Sequence, residues 1–267
     1  MLQKDFAGAV VVVSGGSSGL GRAICVQSAS RGARAVVINY ASNSGDAEET
    51  AALVREQGAE ALVVQGDVGE YDDCQKIVLE AEKFGHIDVL FNNAGVTKFA
   101  PDHGDLEAVS GDDFMRVFRV NVAGAYQMIR AARPLLDRAP TPAAIVNTGS
   151  MVGATGTGSS VPYAASKGAL TTLTLSMARA LAPQIRVNCI CPGFMDTPWF
   201  SRGNDPDAVD KIRNRVIQAA PLKVASKADD VAEAALFLAS SAARHITGET
   251  LFVDAGAHLN ATPLSMR

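Results

Sequence analysis

Three side chains are spaced for acid and base chemistry: Lys167 follows Tyr163 by four residues, and Ser150 precedes that tyrosine by thirteen. Residues four apart on a helix share a face, so Lys167 can hold a positive charge beside the Tyr163 phenol. An unperturbed phenol titrates near pH ~10, and nearby positive charge brings it toward use as an acid and a base. Reducing a ketone requires hydride at carbon, a proton at oxygen, and stabilisation of the charge that develops on that oxygen. Tyr163 suits the proton and Ser150 the hydrogen bond to oxygen, while the hydride must come from a cofactor. Singly, such residues are packing, a solvated face and turn chemistry. Their joint spacing favours catalysis.

A second cluster suits a dinucleotide. The apolar run Ala9–Ser14 leads into Ser14-Gly15-Gly16-Ser17-Ser18-Gly19-Leu20-Gly21, after which a helical pattern begins. Phosphate oxygens approach backbone N–H groups at a helix N-terminus only where no side chain intervenes, and glycine removes the obstruction. The spacing departs from G-x-G-x-x-G, with Ile24 where its last glycine would fall. An unliganded strand-to-helix turn is the alternative. After the second apolar run come Asn39, Tyr40, Ala41, Ser42 and Asn43, none of them acidic. A carboxylate there would accept hydrogen bonds from the ribose of NAD. Its absence leaves nothing to repel a 2'-phosphate, which favours NADP(H), with NAD(H) possible. Arg22 and Arg34 are candidate sources of positive charge.

The elements that must position these groups alternate along the chain. Short apolar runs near Ala9–Ser14, Ala35–Tyr40, Ala61–Gln65, Val89–Asn92, Ala143–Thr148, Arg186–Ile190 and Thr250–Val253 read as strands. Helical patterns run over Leu20–Arg31, Gly45–Gln57, Tyr71–Phe84, Gly111–Arg138, Tyr163–Ala182, Pro206–Ala219 and Ala228–Ser240. This alternation, with nearly continuous Val, Ile and Leu in several strands, predicts an α/β doubly wound Rossmann fold. The expected architecture is one domain over 1–267, a seven-stranded parallel sheet in the order 3-2-1-4-5-6-7 with helices on both faces. The Gly153–Ser160 stretch reads as an active-site loop.

Ser14-Gly15-x3-Gly19-x-Gly21, Asn92-Asn93-Ala94-Gly95, Asn121, Ser150, Tyr163-x3-Lys167 and Pro192-Gly193 resemble, in order and spacing, the short-chain dehydrogenase/reductase family over essentially the whole chain. The stretch Val37–Asn43 is most similar to NADPH-dependent ketoreductases of the polyhydroxynaphthalene and 3-oxoacyl types. The resemblance implies catalysis by Asn121, Ser150, Tyr163 and Lys167, with Asn121 holding a water for proton relay. It implies a cofactor site from Gly15, Ser17, Ser18, Gly19, Leu20 and Gly21, then Tyr40, Ala41, Ser42 and Asn43. Asp67 and Val68 would contact adenine, Asn93, Ala94 and Gly95 would line the cofactor, and Pro192, Gly193 and Thr197 would lie near the nicotinamide, beside Tyr163 and Lys167. A homotetramer is also implied. Departures are Ser14 for threonine, Cys191 before Pro192, Ala255 for glycine, and serines at 17 and 18 where many NADP-preferring relatives carry a basic residue.

Thr97, Phe99, Met151, Val152, Thr155, Trp199 and Phe200 are expected over the site, a mostly apolar wall suited to a neutral carbonyl substrate. The Met195–Pro206 segment is either a lid or a surface loop. With 24 basic and 28 acidic residues and a formal charge of -4, no polyanion partner is expected. Apolar runs are strand-sized, so a soluble cytoplasmic protein without signal peptide or membrane span is expected. Cys25, Cys74, Cys189 and Cys191 and the four histidines lack metal-ligand spacing, so no metal site is expected. Competing functions are an NAD-linked sugar or dihydrodiol dehydrogenase and a dinucleotide sensor without turnover.

Overall fold

Val10–Ser14 (β1) is buried at every position, as a strand covered on both faces must be. Its residues alternate between two cores: Val11 and Val13 pack with one set of helices, Val10 and Val12 with the other. This is the two-residue period of a strand expressed in packing. The computed structural model describes residues 4–197, 199 and 206–259.

The remaining strands are Ala35–Tyr40 (β2), Glu60–Gln65 (β3), Val89–Asn92 (β4), Ala143–Thr148 (β5), Ile185–Pro192 (β6) and Thr250–Val253 (β7). They form one sheet in the order β3-β2-β1-β4-β5-β6-β7. Every pairing is parallel, with Val11 opposite Val36 on one side and Val89 on the other. The strand order reverses between β1 and β4, and in such sheets the crevice at the carboxyl ends beside that reversal is where ligands bind. The fold is therefore the doubly wound one expected, with the strand order expected.

Among the described residues the α-helices are Gly19–Ser30 (α1), Ser44–Glu56 (α2), Tyr71–Leu79 (α3), Gly111–Phe118 (α4), Ala125–Leu136 (α5), Val152–Thr155 (α6), Val161–Leu181 (α7), Pro206–Ala219 (α8) and Ala228–Ala239 (α9). Leu20 and Ile24 of α1, Val54 of α2 and Leu236 of α9 fill one core. Ile77 of α3, Met128 of α5 and Leu181 of α7 fill the other.

Two expectations need correction. The helix expected over 111–138 is broken by a π-turn, Arg119–Gly124, which joins α4 to α5. Gly124 there lies so close to β3's following loop that a Cβ would come 2.8 Å from Val68 Cγ2. The helix expected to Phe84 ends at Leu79, followed by a separate 3-10 turn over Glu82–Phe84 and Gly85 at φ 83°. Arg186, buried on β6, donates to the carbonyls of Leu238, Ala239, Ser240 and Ile246. It thereby closes the C-terminal end of α9, where helix carbonyls lack internal partners. Among the described residues no helix is long and apolar enough to cross a membrane.

Candidate active site

β5 ends at Thr148, and Ser150 follows two residues later at the rim of the crevice. Its hydroxyl accepts weakly from Val152 N at 3.4 Å and lies 3.5 Å from Pro192 O, which ties it to the end of β6. Ser160 caps α7 through Tyr163 N and Pro162 occupies the first turn, so α7 starts two residues before the tyrosine and fixes its orientation. One turn later Lys167, only 3% exposed, sends Nζ to Thr148 O at 2.7 Å and stands 5.6 Å from the Tyr163 ring centroid. Gly153 makes this packing possible, because a Cβ there would sit 2.7 Å from Lys167 C and Gly168 N. The structure thus brings Ser150, Tyr163 and Lys167 together from a post-strand turn and one helix face.

Burial pushes the Tyr163 phenol up to about 12, with the Ser150 hydroxyl offsetting part of the rise. Burial also pushes the Lys167 ammonium down to about 8. The Lys167 ammonium donates to the Thr148 carbonyl, and at Tyr163 desolvation outweighs the hydrogen bond with Ser150. At neutrality the phenol holds its proton, the state required of a proton donor.

Asn121 lies on the π-turn and is 1% exposed. Its Oδ1 accepts from Val96 N at 2.8 Å, and its Nδ2 donates to Val96 O and Ser166 Oγ, both at 3.0 Å. The side chain is occupied in bracing the loop after β4 against α7. A water relay would have to use the backbone of the turn.

The glycine turn has the features of a phosphate cradle. Ser18 makes no side-chain bond to the start of α1, and the first turn carries no acid, so the leading N–H groups lack a cap. Gly15 and Gly19 adopt φ of 63° and 53°. A Cβ on Gly15 would lie 2.9 Å from Ala94 Cα, and one on Gly21 would lie 2.1 Å from Gly15 O. Uncapped donors at a helix start reached by a turn too tightly packed for side chains suit a dinucleotide pyrophosphate. Leu20 is buried, so only its backbone can face a ligand. Ser17 O is held by Arg22 and Thr50. Ser14 ties the turn to the end of β4: its hydroxyl accepts from Asn93 N and Ala94 N, each at 3.1 Å. Asn93 Nδ2 donates back to Gly15 O. Gly95 lies against Asn121 Oδ1 and Lys167 Nζ. Asp67 Oδ1 accepts from Gly69 N, and Val68 is buried.

Thr197 packs over Gly19, and Gly193 packs against Asp254 while its N–H donates to Val253 O after Pro192 ends β6. Phe200 and most of the expected lid, Met195–Pro206, lie outside the described residues. Trp199 is described, with its ring centroid 6.0 Å from that of Tyr163.

Tyr40, Ala41, Ser42 and Asn43 lie at the carboxyl end of β2, where the amide oxygens of Asn43 and Asn39 are both engaged within the chain. Asn43 Oδ1 caps α2 through Asp46 N. Asn39 is 1% exposed, its Oδ1 accepting from Gly15 N and its Nδ2 donating to Val64 O and Gly66 O. Arg34 precedes β2 at the opposite end of the sheet, its guanidinium over the Phe84 ring. Arg22 is paired with Glu49 at 2.8 Å and borders a cleft of about 540 Å³ that also holds Asp46, Asp196 and Asp229. Neither arginine supplies uncompensated charge to a phosphate.

Sequence reasoning missed an amide chain and the packing of Gly149 on the two strand cysteines. Asn92 Nδ2 donates to Asn147 Oδ1 and Asn147 Nδ2 to Thr174 Oγ1, an amide chain joining β4, β5 and α7. Cys189 and Cys191 are buried free thiols on β6, and a Cβ on Gly149 would meet their sulfurs at 2.7 and 2.8 Å.

Known proteins are similar to this chain in sequence and in fold. Residues 15–258 match the family model adh_short_C2, described as enoyl-(acyl carrier protein) reductase. The chain is 39% identical over 251 residues, 94% of this chain and 96% of the relative, to the protein named "Granaticin polyketide synthase putative ketoacyl reductase 2" of Streptomyces violaceoruber. It is 32% identical to the 3-oxoacyl-[acyl-carrier-protein] reductase FabG of Staphylococcus epidermidis, covering 93% of this chain and 98% of that one. Among solved structures, the ligand-free aldohexose dehydrogenase AldT of Thermoplasma acidophilum superposes with a TM-score of 0.85 at 30% identity, covering 98% of both chains. The chain belongs to the short-chain dehydrogenase/reductase family, oxidoreductases that use nicotinamide dinucleotides.

Proposed function

We propose that the chain is an NADP(H)-dependent ketoreductase that interconverts a ketone and a secondary alcohol, with Tyr163 as general acid and base. The observation that carries this reading is the approach of Lys167 Nζ to the Tyr163 ring beside Ser150, at the sheet edge that also holds the uncapped N-terminus of α1.

Gly15 to Gly21 would hold the dinucleotide phosphates, Asp67 and Val68 would border the adenine, and Pro192, Gly193 and Thr197 the nicotinamide. When bound, that cofactor supplies the hydride. Ser150 Oγ donates a hydrogen bond to the substrate oxygen and orients it. The protonated phenol of Tyr163 gives its proton to the same oxygen as negative charge develops there. Lys167, charged below pH about 8, steadies the phenolate left behind. The backbone of the Asn121 turn offers the route by which solvent returns the proton.

The preference for NADP(H) rests on Tyr40, Ala41, Ser42 and Asn43, where no carboxylate would repel a 2'-phosphate. A homotetramer in the cytoplasm is the accompanying reading, carried by the family resemblance.

The test is a panel of ketones and secondary alcohols, an aldohexose among them, assayed with both nucleotides. Ketone-dependent oxidation of NADPH, faster than that of NADH, is expected. Turnover confined to the aldohexose with NAD would replace this proposal with a sugar dehydrogenase.

A further inference from the structure

Lys167 is 3% exposed, and a buried ammonium must find an opposite charge or give up its proton. The Thr148 carbonyl that accepts from its Nζ supplies a dipole but no charge. Among the described residues no carboxylate helps to hold Lys167 protonated; the groups that do are the Cys189 and Cys191 thiols.

The sheet explains how two thiols come to lie there. β6 alternates its side chains between the two cores: Ile190 falls with Leu20 of α1 and Leu236 of α9, and Val187 with Leu181 of α7. Cys189 and Cys191 follow Val187 at the two-residue period of a strand, so they share its face, the one covered by the helix of Tyr163 and Lys167. On the neighbouring chain segment Thr148 lies opposite Ile190, Gly149 N donates to Ile190 O at 2.7 Å, and Met151 N donates to Pro192 O at 3.0 Å. A Cβ on Gly149 would lie 2.7 Å from the Cys189 sulfur and 2.8 Å from that of Cys191. The sulfurs thus take the place of a missing side chain, between the residue whose carbonyl holds Lys167 and the serine proposed to hold the substrate oxygen.

The two thiols are not equivalent. The Cys189 thiol beside it holds Cys191 below the usual thiol range; burial opposes this, and the Ser150 N–H and the Lys167 ammonium add to it. The same partnership, together with burial, pushes Cys189 well above that range. Asp254, beyond β7, works against a charge on Cys191, and its carboxylate is engaged by Gly256 N, His258 N and the His258 ring.

We propose that Cys191 is a thiolate that serves as the counter-charge of Lys167, a positioning residue beneath the Tyr163 acid–base pair. It keeps Lys167 charged and disfavours a second negative charge on Tyr163, so the phenol keeps the proton that ketone reduction consumes. The inference rests on the ketone reduction proposed above.

The ultraviolet absorbance of thiolates, titrated with pH in the cofactor-free protein, tests the charge directly. Wild type should carry one thiolate at neutrality that Cys191→Ser lacks, since a serine fills nearly the same space without ionising. With a ketone that the wild type reduces, the pH above which kcat/KM falls should move down by about one unit in Cys191→Ser, because Lys167 has lost its counter-charge. Cys191→Ala should show the same loss and the same shift, whereas a merely structural role would lower the rate and leave the profile in place. Equal thiolate absorbance in wild type and variants, or a profile within about 0.2 unit of the wild-type one, would overturn the inference. A thiolate lost on substitution in a protein that turns over no ketone would uphold the ion pair and instead remove the hydride-transfer reading.

Discussion

Replacing Asn39 with alanine tests whether the glycine turn is held from beneath by the second strand. The side chain is 1% exposed and joins four backbone groups: Oδ1 accepts from Gly15 N at 3.2 Å, and Nδ2 donates to Gly66 O at 3.0 Å and to Val64 O and Tyr40 O, each at 3.3 Å. Alanine leaves all four without that partner. Each orphaned buried group costs about 1–3 kcal/mol, and water entering the small polar space left behind recovers part, for a net loss of about 3 kcal/mol. Because Gly15 packs against Ala94 in the proposed phosphate cradle, release of its N–H should also weaken NADPH binding, by roughly tenfold for the ~1.4 kcal/mol of one such bond. Urea denaturation at fixed protein concentration reads the first effect, and titration of NADPH fluorescence the second. Stability within about 0.5 kcal/mol of wild type together with unchanged NADPH affinity would refute this reasoning, since surface-like behaviour of that size is not expected at a buried hub.

Three further outcomes follow from the same structure. Tyr40→Asp places a carboxylate at the end of β2, and should shift the NADPH to NADH ratio of kcat/KM toward NADH by roughly a hundredfold through repulsion of the 2'-phosphate; rates with the two nucleotides check it. Ketone reduction should be level at neutrality and fall above pH about 8 as Lys167 loses its charge while Tyr163, at about 12, retains its proton; a pH profile of kcat/KM that rises through that range would contradict the assignment. Ala255 sits at φ 56°, a left-handed conformation that costs a Cβ-bearing residue about 1–2 kcal/mol, so Ala255→Gly should stabilise the fold by about 0.5–1 kcal/mol after the entropy of the added glycine; a denaturation midpoint that falls would show the strain is absent.

The sheet was legible because burial on both faces favours apolar residues: Val10–Ser14 and Ala143–Thr148 stand out as mostly apolar runs that alternate along the chain with helical patterns. The spacing of Ser150, Tyr163 and Lys167 was legible because a helix converts an interval of four into a shared face. What lay hidden depends on partners across space. Six residues of π-turn at Asn121 carry no period that separates them from the α-helices on either side. Asn39 and Asn43 read as ligand-facing amides, yet register with β3 and the first turn of α2 claimed them. Arg34 read as a possible phosphate partner, while its place before β2 put it at the far end of a six-residue strand. Gly149 and Gly153 had no evident purpose in sequence. The Cys189 and Cys191 sulfurs and the backbone at Lys167 supply it.

The most direct test of the account is a single-turnover comparison of wild type and Tyr163→Phe, each preloaded with NADPH and mixed with a ketone that the wild type reduces. Loss of the phenolic proton should slow nicotinamide oxidation by about a thousandfold while NADPH affinity stays at the wild-type value. A Tyr163→Phe enzyme that oxidises NADPH within tenfold of the wild-type rate would show that the proton comes from elsewhere.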